Sequence, residues 1–300
     1  MRIEKEEGKM SSLEKGSYIR VTFCQMGKEF IPENIPKFLF YRIYSFIYYL
    51  IELVFPPQDV DYKQIPILIN NFNRLDTLKK LIGSLEKRGY KNIYIIDNLS
   101  TYPPLLEYYK SCVYKIFYLN KNIGMNALWI SGIYKKFRKN FFVYTDSDVE
   151  PVDECPDDFL LFFLKALKSH KLARKVGFSL KIDDIPDCYA LKERVIKWEE
   201  HFFNYYNKED MLYRAPIDTT FALYRPRGKR KHANNNIEMY RTAYPYMARH
   251  LPWYIDSNSP DDENRYYIEH SSAVTGWTNE DKKILNRKEE TSREKVDPLY

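Results

Sequence analysis

The stretch from residue 65 to residue 148 constrains the fold most, because its hydrophobic period changes back and forth between two values. Ile65 to Ile69 is a continuous apolar run of strand length, the pattern of a strand covered on both faces. Leu75, Leu78, Leu81, Ile82 and Leu85 then recur at three- and four-residue steps, which places them on one face of a helix. Asn73 stands where it can cap that helix, Asp76 falls in its first turn and Gly89 lies just past its end. Ile93 to Ile96 is a second apolar run, ending in Asp97, so the segment reads as a βαβ unit. The alternation goes on: a helix opened by Pro103-Pro104 to about Ser111, a strand over Val113 to Leu119, a helix over Gly124 to Phe137 and a strand over Phe141 to Tyr144. The pattern predicts an α/β fold with a mostly parallel central sheet flanked by helices. Ligands of such sheets bind at the carboxyl ends of the strands. Asn70, Asp97, Asn120 and Asp146 all fall at those ends.

Further on, Phe159 to Leu167 is apolar nearly all round and predicts a buried helix. Val176 to Leu180 reads as a strand, Tyr189 to Tyr206 as a long helix and Asp218 to Tyr224 as a strand. These elements fall within 61–256, the expected catalytic domain; 1–60 is an N-terminal extension and 257–300 a charged C-terminal tail. At 300 residues, 44% hydrophobic and 29% charged, the chain excludes disorder as its general state. A net charge of +6 favours anionic partners such as phosphates without reaching the level that argues for nucleic acid. Cys24, Cys112, Cys155 and Cys188 have neither metal-ligand spacing nor a CxxC pair, as expected of reduced thiols.

The opening MRIEKEEGKMSSLEKG lacks the apolar core of a secretory signal, so a cytoplasmic chain is expected. Residues 38–55, FLFYRIYSFIYYLIELVF, are interrupted by Arg42 and Glu52, and the run Ile43 to Ile51 is too short to span a bilayer. With Lys28, Lys37 and Arg42 before or within its start, the helix suits the inner face of a plasma membrane, as a peripheral contact. A core helix or an oligomer contact accounts for it equally well.

Asp146-Ser147-Asp148 carries the chemistry. Two carboxylates at the end of a buried strand are costly without a cation. Mn²⁺ or Mg²⁺ would neutralise them and bridge the phosphates of a nucleotide. The apolar FFVY before the motif distinguishes it from the many Asp-x-Asp turns on protein surfaces.

With this motif the chain resembles bacterial GT-A glycosyltransferases of the family-2-like group that builds surface polysaccharides. ILINNFNRLDTLKKLIGSL resembles that family's first strand, loop and helix. NIYIIDNLS resembles its second strand, NKNIGMNAL its Asn-x-Gly segment and FFVYTDSDVEP its metal-binding strand end. The match covers about 64–151 and continues more loosely through IDTTFALYRP and MARHLPWYID to about residue 256. The resemblance implies a GT-A fold and a nucleotide-sugar donor, a UDP-sugar by preference. It implies a glycan or lipid-linked oligosaccharide as acceptor. Asn71 and Arg74 would lie near the nucleoside and Asp97 would contact base or ribose. Asn122, Gly124 and Asn126 would line the nucleotide pocket, Gly124 by close backbone approach. Asp146 would hold the ribose or a metal-bound water, Asp148 would ligate the metal directly, and His250 would be a late ligand to metal or diphosphate. Arg249 equally suits the phosphates.

Inverting transfer needs a general base. The family's acidic pair after the metal motif is missing, and Asp218 in Pro216-Ile217-Asp218-Thr219-Thr220 stands in the nearest equivalent place. Glu199 and Glu200 beside Trp198 are rivals, although a glutamate pair on a helix is usually solvated. Asp183-Asp184 suits either an acceptor contact or a solvated turn, and the basic tract 225–232 either the diphosphate or a solvated loop. Retaining transfer, nucleotidyl transfer and a non-catalytic sugar-binding scaffold are the competing readings. A nucleotidyltransferase would want a glycine-rich loop after the first strand, and INNFNR has no glycine.

Overall fold

The computed structural model describes residues 36–59, 61–227, 238–271, 280 and 282–283. Cys24, the basic residues from Lys229 to His232 and nearly all of the charged tail from Thr278, which the sequence singles out, lie outside the described residues. The chain divides into two units, Met1–Phe40 and Tyr41–Tyr300. The first is described only from residue 36, where helix α1 (Lys37–Val54) opens.

The second unit is a mixed α/β fold on a ten-stranded sheet. In chain order its strands are β1 (Ile67–Asn71), β2 (Ile93–Asp97), β3 (Lys115–Tyr118), β4 (Phe142–Asp146), β5 (Val149–Pro151), β6 (Lys175–Leu180), β7 (Tyr206–Asn207), β8 (Leu212–Arg214), β9 (Ala222–Tyr224) and β10 (Met239–His250). They lie side by side as β3-β2-β1-β4-β9-β6-β10-β8-β7, with β5 on the end of β10. The pairings of β1 with β2, β1 with β4, β2 with β3 and β6 with β10 are parallel. The remaining pairings are antiparallel. The expectation of a mostly parallel sheet therefore holds only for its first half. The short strand β9 enters between β4 and β6 against the direction of both. It fits closely at Gly177, where a Cβ would stand 2.5 Å from the Phe221 carbonyl oxygen.

Helices α2 (Asp76–Lys87), α3 (Pro103–Ser111), α4 (Ala127–Ile130), α5 (Phe159–Ser169), α6 (Lys192–Glu199) and α7 (Asp262–His270) complete the fold. The predicted stripe of α2 is buried in full from Leu78 to Leu85 and joins β1, β2 and α5 in one core. Its cap differs from expectation. The Asn73 side chain accepts instead from the Thr101 and Tyr102 N–H groups. The free N–H groups of Leu75 and Asp76 donate to Glu263 at 2.6 and 2.7 Å, so α7 supplies the anion that a helix start attracts.

The helix predicted over 124–137 is broken into 3₁₀ turns at Gly124–Asn126 and Ile133–Lys136 around the four-residue α4. The long helix predicted over 189–206 stops at Glu199 and continues as a 3₁₀ turn to Phe203. Among the described residues, no helix is long and apolar enough to cross a membrane.

Candidate active site

Parallel register brings three strand ends together: Asn70 lies opposite Asp146 on β4, and Asn71 opposite Asp97 on β2. Around Asp146 every polar atom is matched. Asn70 Nδ2 donates to one carboxylate oxygen at 3.2 Å and Thr219 Oγ1 to the other at 2.5 Å. The Asp146 N–H donates to the Thr219 carbonyl, and the Ser147 N–H to the Asn70 carbonyl. Burial pushes the Asp146 carboxyl well above the usual carboxylate range, and the charge of Asp148 adds to it; the Thr219 and Asn70 hydrogen bonds pull the other way.

Asn98 extends this network. Its amide donates to the Gly124 carbonyl at 3.0 Å and lies 3.4 Å from Asn70 Oδ1, and its oxygen accepts from the Ile123 N–H at 2.8 Å. From the other side, the Tyr144 hydroxyl donates to the Met125 carbonyl. The loop 122–126 is thereby fixed beside Asp146. Gly124 has φ +70°, in the left-handed region that favours glycine. Asn122 is exposed and accepts from the Gly124 N–H, while Asn126 is half-buried.

The three residues expected at the nucleoside turn inward. Asp97 is 3% exposed and accepts from the Ser100 N–H and the Tyr109 hydroxyl. Asn71 is wholly buried and donates to the Arg74 carbonyl and to the Tyr109 oxygen. Arg74 donates to Asn264, and its guanidinium lies 3.7 Å from the Tyr267 ring centroid. These side chains brace the corner between β1, α2 and α7, with Asn71 Oδ1 and Arg74 Nε buried and without a hydrogen-bond partner among the described residues.

Asp148 is different. The two ends of β5 and β10 pair with His250 opposite Val149, and the Leu251 N–H donates to the Asp148 carbonyl. That ladder sets His250 Nε2 3.7 Å from Asp148 Oδ1, too long for a hydrogen bond. Among the described residues, Asp148 Oδ1 and His250 Nδ1 are buried without a hydrogen-bond partner. Burial holds the imidazole below its ordinary pKa, Arg74 in the same direction, against the charges of Asp148, Glu199 and Asp218. It is the neutral, ligating form of histidine that this favours. Among the described residues, no cluster of three or more His, Cys, Asp and Glu side chains forms a closed metal cage. Asp148 and His250 nevertheless fit a divalent cation that keeps its other positions for water and phosphate oxygens, and the imidazole suits Mn²⁺ better than Mg²⁺. Asp146, with both oxygens matched, lies beside the site.

Asp218 faces solvent, and its charge acts on both Asp146 and His250. It does not begin a strand, as the sequence predicts; β9 starts at Ala222. The reason is Lys175, a wholly buried lysine whose Nζ donates to the carbonyls of Ile217 and Asp218 at 2.6 and 3.1 Å and to the Tyr224 hydroxyl. Those carbonyls are matched by the Lys175 side-chain nitrogen in place of a neighbouring strand. Glu199, far from being solvated, is 4% exposed and paired with Arg241 at 2.6 Å. Arg241 Nε also donates to the Pro216 carbonyl. Glu200 is exposed. Arg249 is held by Asp184 through Nε at 2.9 Å and Nη2 at 2.6 Å. Asp183 pairs with Lys181 at the surface.

Asn98, Thr219 and Lys175 are functional-site residues that sequence reasoning misses. Asn98 adjoins Asp97, and a lysine opening the apolar run VGFSL is a visible anomaly. Thr219 meets Asp146 only through the insertion of β9, and nothing local announces it.

No protein-family model matches the chain, and no curated protein matches it. Among solved structures it is similar to GalNAc-T7 with UDP, GalNAc and Mn²⁺: 15% identity, TM-score 0.42, over 62% of this chain and 43% of that one. It is also similar to a cytidylyltransferase from Leptospira borgpetersenii serovar Hardjo-bovis, with 13% identity and TM-score 0.29, over 46% of this chain and 71% of that one. Neither overlap is close enough to carry an argument. What the site can do rests on its own residues.

Proposed function

We propose that this chain is a metal-dependent glycosyltransferase of GT-A architecture that moves a sugar from a nucleotide-sugar, by preference a UDP-sugar, to a hydroxyl of a glycan or lipid-linked glycan. The observation that carries the proposal is the buried, unmatched Asp148 Oδ1 with His250 Nε2 3.7 Å away, just past the carboxyl end of a parallel strand. A carboxylate placed so is held for a cation or a polar ligand, because a buried acceptor without a partner is costly. A Mn²⁺ or Mg²⁺ ion there would supply Lewis-acid stabilisation of the departing nucleoside diphosphate.

The chain's own residues supply the rest. The fixed loop 122–126 and the Asp146 carboxyl group border the donor, so its ribose and diphosphate bind against a rigid wall. Asn71, Arg74 and Asp97 act behind that wall by fixing the β1 and β2 ends. Asp218, exposed and within electrostatic reach of the metal pair, takes the proton of the acceptor hydroxyl as its oxygen attacks the anomeric carbon, in an inverting transfer. Glu199 is committed to Arg241 and positions the Pro216–Thr219 segment.

The test is a screen of nucleotide-sugars for slow hydrolysis and for transfer to defined acceptors, with Mn²⁺, Mg²⁺ and EDTA in parallel. Metal-stimulated release of a nucleoside diphosphate is expected. Asp218→Asn is expected to keep donor affinity and to lose roughly two to four orders of magnitude in turnover. Release of pyrophosphate from a nucleoside triphosphate and a sugar phosphate would establish nucleotidyl transfer instead.

A further inference from the structure

Helix α1 is built the wrong way round for a helix of a globular domain. Such helices turn the apolar stripe to the core and the polar face to water. In α1 the residues facing the domain are Tyr41 and Ser45, 1% and 2% exposed, with Tyr48 and Glu52 following on the same face. The Glu52 carboxylate accepts from Arg225 Nη1 at 2.5 Å and lies 3.9 Å from Arg174 Nη1. The Arg174 guanidinium stands 5.1 Å from the Tyr48 ring centroid. These are ion-pair and aromatic contacts, and they fix the helix by its polar side.

The opposite face holds Ile43, Phe46, Ile47, Leu50, Leu53 and Val54, all at helical spacing and all 44–70% exposed, with Phe55 beyond them. One exposed leucine needs no explanation, but a continuous stripe of this length on a fixed helix does.

Basic side chains frame the stripe. Arg42 is exposed on the helix itself. Lys171 Nζ lies 5.9 Å from the Tyr49 ring, and the Arg227 guanidinium 5.8 Å from the Phe55 ring. The Arg227 N–H donates to the carbonyl of Arg138, whose own side chain is exposed. The only acidic residue of α1, Glu52, faces inward.

We infer that this face of α1 seats the protein on an anionic phospholipid surface, the apolar side chains entering the headgroup–acyl boundary and the surrounding cations meeting lipid phosphates. The charge complementarity selects this occupant: an apolar stripe with a basic frame is the pattern that binds acidic membranes. A second copy of the chain would bring the same cations against one another. The inference is independent of sugar transfer at Asp148, because lipid binding and turnover are measured separately.

The test is flotation of the full-length protein with phosphatidylcholine vesicles, with and without phosphatidylglycerol. The wild type is expected to float with the anionic vesicles and only weakly with the neutral ones, and to be partly released by salt. The variant carrying Phe46→Ser and Leu50→Ser alters only exposed side chains. It is expected to keep the wild-type melting temperature and to lose on the order of a hundred-fold in partitioning. Arg42→Glu should weaken binding to anionic vesicles alone. Wild-type protein that stays unbound with both vesicle types overturns the inference. So does equal flotation of the double variant. A dimer in sedimentation that Leu50→Ser dissociates, with no lipid binding, also overturns it and assigns the face to a second copy.

Discussion

The carboxylates of Asp146 and Asp148 differ in how completely their oxygens are matched. Around Asp146 the protein supplies both hydrogen-bond donors to the carboxylate and fixes the adjoining loop through Asn98 and Tyr144. Around Asp148 it supplies a histidine 3.7 Å away and leaves one buried oxygen without a donor. The first arrangement is complete without a ligand and behaves as scaffold. The second is where the proposed reading seats a cation. Two aspartates separated by one serine thus stand in different surroundings, one with both oxygens matched and the other with one oxygen unmatched.

The largest effect expected from breaking this contrast is at Asp148. Asp148→Ala should lower metal-stimulated turnover by at least on the order of a hundred-fold, the scale of losing Lewis-acid stabilisation. Its melting temperature should hold or rise, because a buried carboxylate oxygen without a hydrogen-bond partner is gone. Turnover across a Mn²⁺ titration, alongside thermal melts, checks both parts. A variant that remains fully active in EDTA would place the metal elsewhere or remove it from the reaction.

A smaller effect is expected on the matched side. Thr219→Val preserves shape and removes the donor to Asp146 Oδ2, which should destabilise the fold by roughly 1–3 kcal/mol. Urea unfolding measures this directly. The Mn²⁺ concentration for half-maximal turnover should move little. A large shift in that concentration with unchanged stability would show that Thr219 serves the ligand and not the scaffold.

The sequence carries the scaffold better than the pairing of its parts. The strand runs of β1, β2 and β4, the buried stripe of α2 and the strand-end positions of Asn70, Asp97 and Asp146 all follow from hydrophobic period. That period is a local property, and the core enforces it. The direction of β9 does not follow, because the chain between β6 and β9 gives no local sign of which way a three-residue strand will enter. The cap of α2 could not be read either: its anion comes from Glu263, far along the chain, while the local candidate Asn73 serves the Thr101 and Tyr102 amides. His250 was legible as a candidate only through its resemblance to known transferases. What puts it beside Asp148 is the register of β5 against β10. The apolar sequence of α1 predicted a helix but left its orientation open; the Glu52 contacts with Arg225 and Arg174 determine which face is displayed.

The smallest and most diagnostic effect should come from Lys175, which holds the segment shared by the two sides, since Asp218 and Thr219 are adjacent. Burial pushes its ammonium down to about 7 from the ordinary 10.5; the Arg241 cation acts in the same direction and the Asp218 carboxylate against it. Between those two values the unfolded chain binds more protons at this position than the folded chain does, so this residue makes stability rise with pH across that window. Below about pH 7 the charged form is buried at full cost, and above 10.5 both states are neutral and the contribution is gone. Lys175→Met keeps most of the packing volume but removes both the titration and the donor to the Ile217 and Asp218 carbonyls. Urea unfolding of both proteins from neutral to moderately alkaline pH should therefore show wild-type stability gaining on the variant as pH rises, by ~1.4 kcal/mol per pH unit at most. Transfer by the variant should fall without loss of donor affinity, because the Asp218 backbone is no longer held. A stability difference independent of pH would mean that the lysine stays protonated throughout the range, with its three hydrogen bonds offsetting the burial. Lys175 would then be a fixed brace for the base, and the two sides of the site would be joined by a permanent charge.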